Sequence, residues 1–300
     1  MRLGVHVPIA GGLLEAVARA KRLACTTMQI FSRSPRGGPA TVLTDQQLRQ
    51  FDRARRAAGI EPLVIHAPYI INLAAPEDRL WEQSVRLFQE EYARAIALKA
   101  AYLVTHVGSH RGAGEASGIR RVAAAIERTL AQAAARSVTI LLENTAGSGQ
   151  GLGFRFEQLA AIRDGVRQKT RVGVCLDTAH LFAAGFPIHT RMGLEETLAA
   201  FNRNIGRQHL KVIHLNDSKV PFGSRVDRHW HIGQGHIGLD AFRRMVTHPQ
   251  LADMPLILET PKITEAEDQC NLATVRALGR MTRSRRTTSS ARRHPVPAGA

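Results

Sequence analysis

The sequence predicts a single closed barrel of eight parallel β-strands surrounded by helices, a TIM barrel. Short apolar segments of strand length alternate with longer amphipathic segments along the 300-residue chain. Such alternation gives parallel strands joined by right-handed crossovers, and eight repeats close into a barrel. An open doubly wound sheet is the alternative. The turn Ala10-Gly11-Gly12 after the first strand, however, lacks the glycine pattern of a dinucleotide-binding fold.

Eight segments have the length and apolar character of buried strands. In chain order they are Leu3–Val7, Met28–Phe31, Leu63–His66, Tyr102–His106, Thr139–Asn144, Val172–Asp177, Val212–Leu215 and Leu256–Glu259. Long amphipathic stretches between them predict helices, for instance at Asp78–Ala100, Ser117–Arg136 and Gly193–Arg207. We expect a barrel domain over residues 1–279. Residues 280–300 carry six arginines and no acid among small and polar residues, and they predict a disordered tail.

The charge of the chain favours a polyanionic partner. There are 41 Lys and Arg residues against 25 Asp and Glu, a formal net charge of +16. Without the six arginines of the tail, a surplus of about ten positive charges remains, and such a surplus attracts phosphates. No window of about 18 apolar residues predicts a membrane span, and no signal peptide is recognisable. We therefore expect a cytoplasmic monomer, with no protein partner inferable from the sequence.

Chemically active side chains end six consecutive predicted strands. They are His66, His106, Glu143, Asp177, His214 and Glu259. The carboxyl ends of TIM-barrel strands converge on one face, where active sites form. Three further candidates, His180, Asp227 and His229, follow the sixth and seventh strands. One histidine at a strand end is more often structural, but six separate structural explanations at six matching positions are hard to accept.

These nine side chains predict a centre of three metal ions. Five imidazoles and four carboxylates without a thiolate suit zinc, with manganese or iron possible. The three cysteines are scattered and form no Cys-x-x-Cys pair, which argues against thiolate sites and disulfides. Nine ligands are too many for one ion and about right for three. Three divalent ions against four carboxylates leave a positive centre that suits a phosphate.

An ordered set of short motifs runs through the chain. They are Gly4–Val7 with Ala10–Gly12, HAPYIINLA (66–74), HVGSH (106–110), LLENTAG (141–147), GVCLDTAH (173–180), IHLNDSK (213–219), GSRVDRHWHIG (223–233) and LILETP (256–261). Together they span roughly residues 3–262. In this set the chain resembles the endonuclease IV family of abasic-site endonucleases, whose fold is a TIM barrel.

The resemblance implies a zinc-dependent deoxyribonuclease of base excision repair. It would hydrolyse the phosphodiester 5′ to an abasic site in double-stranded DNA, leaving 3′-hydroxyl and 5′-deoxyribose phosphate ends, and would also clear blocked 3′ ends. Three Zn²⁺ are implied per chain. His66 and His106 would hold the first ion, with Glu143 bridging to the second. Asp177, His214 and Glu259 would complete the second site. His180, Asp227 and His229 would hold the third. Glu143 and Glu259 are the implied catalytic residues.

The resemblance also assigns residues that contact DNA. Arg36, Tyr69 and Ile70 would wedge into the base stack beside the lesion. Asn72, Lys219 and Arg228 would contact phosphates or support the ligands. The chain departs from the family at Gly37-Gly38, where an aromatic residue is common, and at Gly233–His236, which replaces a more acidic segment.

Two other classes of protein compete with this interpretation. A metal-dependent sugar isomerase or epimerase shares the barrel and a His/Asp/Glu rim. It needs only one or two metals, however, so the residues of the third predicted site, His180, Asp227 and His229, would have no function in it. A lesion-binding protein without catalysis would not need a complete set of ligands. The complete ligand set and the basic charge favour the nuclease.

Overall fold

The strands form the predicted barrel. The computed structural model describes residues 1–35, 40–132 and 137–290, the last ten of them by backbone alone. Its eight barrel strands are β1 (Arg2–Val5), β2 (Met28–Phe31), β3 (Leu63–His66), β4 (Tyr102–His106), β5 (Thr139–Glu143), β6 (Val172–Asp177), β7 (Leu210–His214) and β10 (Pro255–Leu258). A short antiparallel ribbon follows β7 and consists of β8 (Asp217–Ser218) and β9 (His229–Trp230).

The barrel strands are parallel, in the order β1-β10-β7-β6-β5-β4-β3-β2. The ring closes between β1 and β2, where a bridge pairs His6 with Gln29 and the Val7 amide donates to the Gln29 carbonyl at 2.7 Å. Closure requires a glycine at position 4, because a Cβ there would lie 1.9 Å from the Thr27 carbonyl oxygen. The predicted TIM barrel is confirmed.

Helices cover the outside of the barrel. They are α1 (Leu13–Arg22), α2 (Asp45–Ala57), α3 (Asp78–Ala97), α4 (Glu115–Gln132), α5 (Phe156–Asp164), α6 (Thr178–Ala184), α7 (Arg191–Asn204), α8 (Leu239–Thr247) and α9 (Glu265–Ser290). The predicted helices match α3, α4 and α7 with shifted ends, except that the predicted end of the second, Arg136, lies outside the described residues. Helix α3 ends before Lys99, which takes a left-handed φ of 53°. Helix α7 begins earlier than predicted because Thr190 caps it, accepting from the Gly193 amide at 3.0 Å.

Two apolar layers set the direction of the side chains. Outward-facing strand residues pack against the helices. A second layer inside the barrel consists of Val64, Val104, Leu141, Cys175, Val212 and Ile257. Each of these six residues lies two positions before one of the six predicted strand-end ligands. Since side chains alternate along a strand, each ligand points inward, one layer above its apolar neighbour.

The last helix reaches into the predicted C-terminal tail. Helix α9 continues through Arg280 to Ser290, into the stretch expected to be a disordered tail. No proline or glycine occurs between Arg280 and Pro295 to end a helix, and the composition alone did not reveal this. The rest of that stretch, residues 291–300, lies outside the described residues, so the boundary at residue 279 stays a prediction. Among the described helices, none combines the length and apolar character that a membrane crossing requires.

Candidate metal centre

The carboxyl ends of the barrel strands, with the loops that follow them, form a rim that carries all nine predicted ligands. Eight of the nine fall into three compact clusters, each with ligand atoms within 4.8 Å of one another. The first cluster consists of His66, His106 and Glu143. Both histidine Nε2 atoms lie 3.1 Å from the same oxygen of Glu143, Oε2. A single cation in that place would be shared by three neighbouring strands, β3 to β5.

The second cluster reuses Glu143 and adds Asp177, His214 and Glu259. His214 Nδ1 lies 2.8 Å from Glu143 Oε1 and 3.2 Å from Glu259 Oε2. Glu143 therefore turns one carboxylate oxygen to each of the two clusters. This is the geometry that a carboxylate bridging two cations requires.

The third cluster lies on the side of α6 and the ribbon. It contains Asp177, His180 and His229, with His229 Nε2 at 3.4 Å from Asp177 Oδ2. Asp227, the ninth predicted ligand, is joined to it by ion pairs, 3.1 Å to His180 Nε2 and 3.4 Å to His229 Nε2. The side chain of Asp227 is 48% exposed, so this cluster opens toward solvent. Asp177 faces both the second and the third cluster.

The imidazoles are oriented as metal ligands are. The Nδ1 atoms of His66, His180 and His229 lie 2.7, 2.8 and 3.1 Å from the backbone carbonyls of Ala67, Asn144 and Glu259. A carbonyl only accepts hydrogen bonds, so Nδ1 must carry a proton, and in the neutral ring Nε2 presents its lone pair to the cluster. His214 is reversed, with Nε2 2.8 Å from Gln29 Oε1 and Nδ1 facing the carboxylates. The donor set and its outer hydrogen bonds fit divalent cations such as zinc.

Positive charge is needed to keep the carboxylates of this centre ionised. Burial alone would raise the pKa of Glu143, but the neighbouring His214 and His106 outweigh it and hold the pKa well below its usual range. Burial would lower the pKa of His180, yet the Asp177 and Asp227 carboxylates raise it to about 10. Without cations, protonated imidazoles balance the carboxylates; bound cations would take over that task and leave the imidazoles neutral.

Gln29 is a site residue that the sequence reasoning missed. Its side chain is completely buried on β2. The amide donates to Glu259 Oε1 at 2.6 Å and accepts from His214 Nε2 at 2.8 Å, so it orients two predicted ligands at once. It also lies 2.9 Å from Nδ1 of His6. The available signal was a single polar residue inside the otherwise apolar strand Met28–Phe31.

Two asparagines support Asp177 from the neighbouring strand ends. Asn216 donates to Asp177 Oδ2 at 2.6 Å and accepts from the Glu259 amide at 2.7 Å. Asn144 accepts from the Asp177 amide at 2.7 Å. These bonds fix the position of Asp177 between the second and third clusters.

A buried carboxylate joins the ribbon to the segment that follows it. The side chain of Asp217 accepts hydrogen bonds from the backbone amides of Gly233, Gly235 and Ile237 at 2.9 to 3.0 Å. Asp217 also pairs with Trp230 across the ribbon. The ribbon and the Gly233–His236 segment are therefore fixed to one another by a single side chain.

The predicted DNA-contact residues line the same rim, apart from Arg36, which lies outside the described residues. Tyr69 and Ile70 follow β3 and are 63% and 52% exposed. The Tyr69 ring centre lies 5.6 Å from that of His66 and 6.0 Å from that of His106, directly beside the first cluster. Both residues line a cleft of about 610 Å³ that also reaches His106, His180 and Asp227.

The other three DNA-contact candidates have different surroundings. Asn72 is used inside the protein: its amide accepts from the Ser109 amide at 2.9 Å and donates to the Ser109 carbonyl at 3.0 Å. It thereby joins the loops after β3 and β4. Lys219 directly follows β8 and Arg228 directly precedes β9, and both are exposed. The Lys219 amide donates to the Arg228 carbonyl at 2.9 Å.

Comparison with known proteins gives consistent matches over nearly the whole chain. The family model described as "Xylose isomerase-like TIM barrel" matches residues 17–277. The curated protein "Probable endonuclease 4" of Chloroflexus aurantiacus is 45% identical over 278 residues, covering 92% of this chain and 98% of its own. The crystal structure of endonuclease IV from Thermus thermophilus superposes with a TM-score of 0.85 at 38% identity, covering 94% of this chain and all of that one.

More distant structures share the fold alone. D-psicose 3-epimerase from Clostridium cellulolyticum superposes with a TM-score of 0.65 at 14% identity, covering 93% of this chain and 99% of its own. Such an enzyme belongs to the sugar epimerase class weighed above. The likeness is confined to the barrel at this level of identity.

Proposed function

Because the chain belongs to the endonuclease IV family, we propose that it is a metal-dependent DNA-repair endonuclease that cuts the backbone 5′ to abasic sites. The observation that carries the proposal is the double role of Glu143, whose two oxygens face two different histidine clusters. A sugar isomerase needs one or two cations. The third cluster of His180, Asp227 and His229, open to the cleft, is accounted for by a three-cation phosphodiesterase.

We assign the ligands as follows. His66 and His106 would hold one ion, and Glu143 would be shared with a second, for which Asp177, His214 and Glu259 are the other ligands. His180, Asp227 and His229 would hold the third, with Asp177 beside them. Zinc suits five imidazoles and four carboxylates best, with manganese or iron possible at single positions. Bound ions of this kind lower the pKa of water and offset negative charge on a phosphate.

Side chains of the protein orient the groups that take part in hydrolysis. Gln29 holds Glu259 Oε1, which leaves Oε2 facing the second cluster beside His214. From that position Glu259 orients the attacking water toward the scissile phosphate. Hydrolysis leaves a 3′-hydroxyl and a 5′-deoxyribose phosphate. The same centre can remove blocking groups from 3′ ends, because it acts on the phosphodiester and makes no use of a base.

Lesion recognition is assigned to the exposed loop residues. Tyr69 and Ile70 are large apolar side chains that stand open to solvent beside the first cluster. Such side chains enter a base stack where a base is missing, since extruding an abasic nucleotide breaks less stacking and pairing than flipping a normal one. Arg36 completes the wedge. Lys219 and Arg228 on the ribbon hold the backbone, and the enzyme acts as a monomer on double-stranded DNA.

The proposal is tested on a duplex with one stable abasic analogue. The protein should cut only the strand with the lesion, and sizing of the labelled strand should place the cut on the 5′ side with a 3′-hydroxyl end. Glu259→Gln should still bind this duplex, while cleavage falls by about a hundredfold or more. Equal cutting of intact duplex, or a Glu259→Gln variant as active as the wild type, would contradict the proposal.

A further inference from the structure

Arg111 lies on the rim in the loop after β4, five residues beyond His106. It is exposed and lines the same cleft as Tyr69, His106 and His180. Within the part of the chain that the structure describes, its guanidinium has neither an ion pair nor a hydrogen-bond partner. By contrast, Arg121 and Arg155 nearby are paired with Asp78 and Glu115 at 2.9 and 2.5 Å. Arg111 is therefore a cation directed at the cleft and available to a ligand.

The backbone of Arg111 adopts a conformation that side chains with a Cβ rarely take. Its φ is 44°, in the left-handed region that favours glycine. Ala24, Lys99 and Arg225 share such values, but Ala24 and Lys99 lie two residues beyond the ends of helices α1 and α3, where a left-handed residue is common. Arg111 follows no helix. A non-glycine residue held in this region is a reason to look for a function.

The loop around Arg111 is firmly attached on both sides. Asn72 binds the amide and the carbonyl of Ser109. The Ser109 hydroxyl and the His110 amide both donate to the Gln150 carbonyl, at 3.0 and 3.2 Å. The Ala113 amide closes the turn onto the His110 carbonyl at 2.9 Å. The cation is thus presented from a fixed backbone position relative to His106, so less ordering is required when a ligand binds.

We propose that Arg111 binds a backbone phosphate next to the scissile one and so fixes how the DNA strand is seated over the metal ligands. This inference rests on the proposed function. Only one phosphate of the strand can occupy the metal centre, and its neighbours must lie along the cleft that Arg111 lines. The planar guanidinium with its several N–H donors matches phosphate oxygens in a way that a single ammonium does not.

The first test replaces Arg111 by glycine, which suits the left-handed backbone and removes the cation. The dissociation constant for a duplex with an abasic analogue should rise about tenfold. The slope of log affinity against log salt should become shallower by about one. KM should rise far more than kcat changes, and the melting temperature should not fall. A residue with a merely structural role would lower the melting temperature and leave the salt slope unchanged.

Lys99→Gly is the matched control. It also removes a cation from a left-handed position. Lys99, however, lies between the end of α3 and the start of β4, outside the cleft, and pairs with Asp52 at 2.8 Å. It should leave DNA affinity and the salt slope as in the wild type. If Arg111→Gly behaved like Lys99→Gly in both measurements, the inference would be overturned.

The second test locates the contact. Single phosphates beside the abasic analogue are replaced, one at a time, by uncharged methylphosphonates. In the wild type one replacement should weaken binding about tenfold, and in Arg111→Gly that same replacement should have little further effect. Identical profiles for the two proteins would overturn the role of Arg111 alone, provided that the wild type cuts the lesion. A wild type that leaves abasic DNA uncut would overturn the proposed function and, with it, this inference.

Discussion

Single side chains distinguish this centre from a chance gathering of histidines. Three histidines share one orientation: Nδ1 of each ring is hydrogen-bonded to a backbone carbonyl and Nε2 faces a cluster with carboxylates. They are His66, His180 and His229. A structural histidine needs no such common orientation. His214 depends instead on the side chain of Gln29, which also holds Glu259. One neutral amide near the start of the chain thus orients two predicted ligands in its C-terminal third.

Gln29→Leu should therefore weaken the centre without touching a ligand. The buried change roughly keeps the volume of the side chain. It leaves the outer nitrogen of His214 without its partner, and Glu259 Oε1 keeps only His6 Nδ1 at 3.5 Å. Loss of such an outer hydrogen bond typically lowers metal affinity or activity by about ten- to a hundredfold. Zinc titration and cleavage of abasic duplex measure both quantities. The control is Gln50→Leu on the exposed surface of α2, which should have no effect. Wild-type zinc affinity in Gln29→Leu would contradict the assigned role.

At the level of whole elements, strand alternation positions the ligands. Each predicted ligand at a strand end follows an apolar barrel residue by two positions, as His66 follows Val64 and Asp177 follows Cys175. The third cluster is built differently. Besides Asp177 from β6, its residues come from α6, from β9 and from the loop before β9. The segment that follows β9 is bound by the buried carboxylate of Asp217.

Asp217→Asn should weaken metal binding at the third cluster and leave the other two clusters intact. The amide cannot accept from the Gly233, Gly235 and Ile237 amides as the carboxylate does, and losing hydrogen bonds to a charged group costs about 2 kcal/mol of stability. The ribbon loop should then loosen around His229. Metal analysis should find a loss of about one ion per chain with the first two sites retained. Asp240→Asn on the surface of α8 serves as control. Full metal content in Asp217→Asn would show that the third site does not depend on this anchor.

At the scale of the whole molecule, the sequence predicted the features that depend on neighbouring residues in the chain. It missed those that depend on contacts between residues far apart in the chain. Strand β3, for example, is a short apolar run ending in His66. Both the position of the strand and its predicted metal ligand therefore follow from this local pattern. The hydrogen bond from Gln29 to Glu259 joins residues 230 positions apart, and no local sequence pattern indicates it. Three of the amides bound by Asp217 likewise belong to residues 16 to 20 positions further along the chain. The extent of helix α9 beyond Arg280 could not be predicted, because an arginine-rich stretch can be either a solvated helix or a tail.

The measurement that tests the three-cation centre most directly is anomalous diffraction at the zinc edge from crystals of the freshly purified protein. The account predicts three peaks per chain. Two should flank Glu143, one beside His66 and His106 and one beside His214 and Glu259, and the third should lie among His180, Asp227 and His229. A single peak, or no peak among His180, Asp227 and His229 in fully occupied crystals, would contradict it.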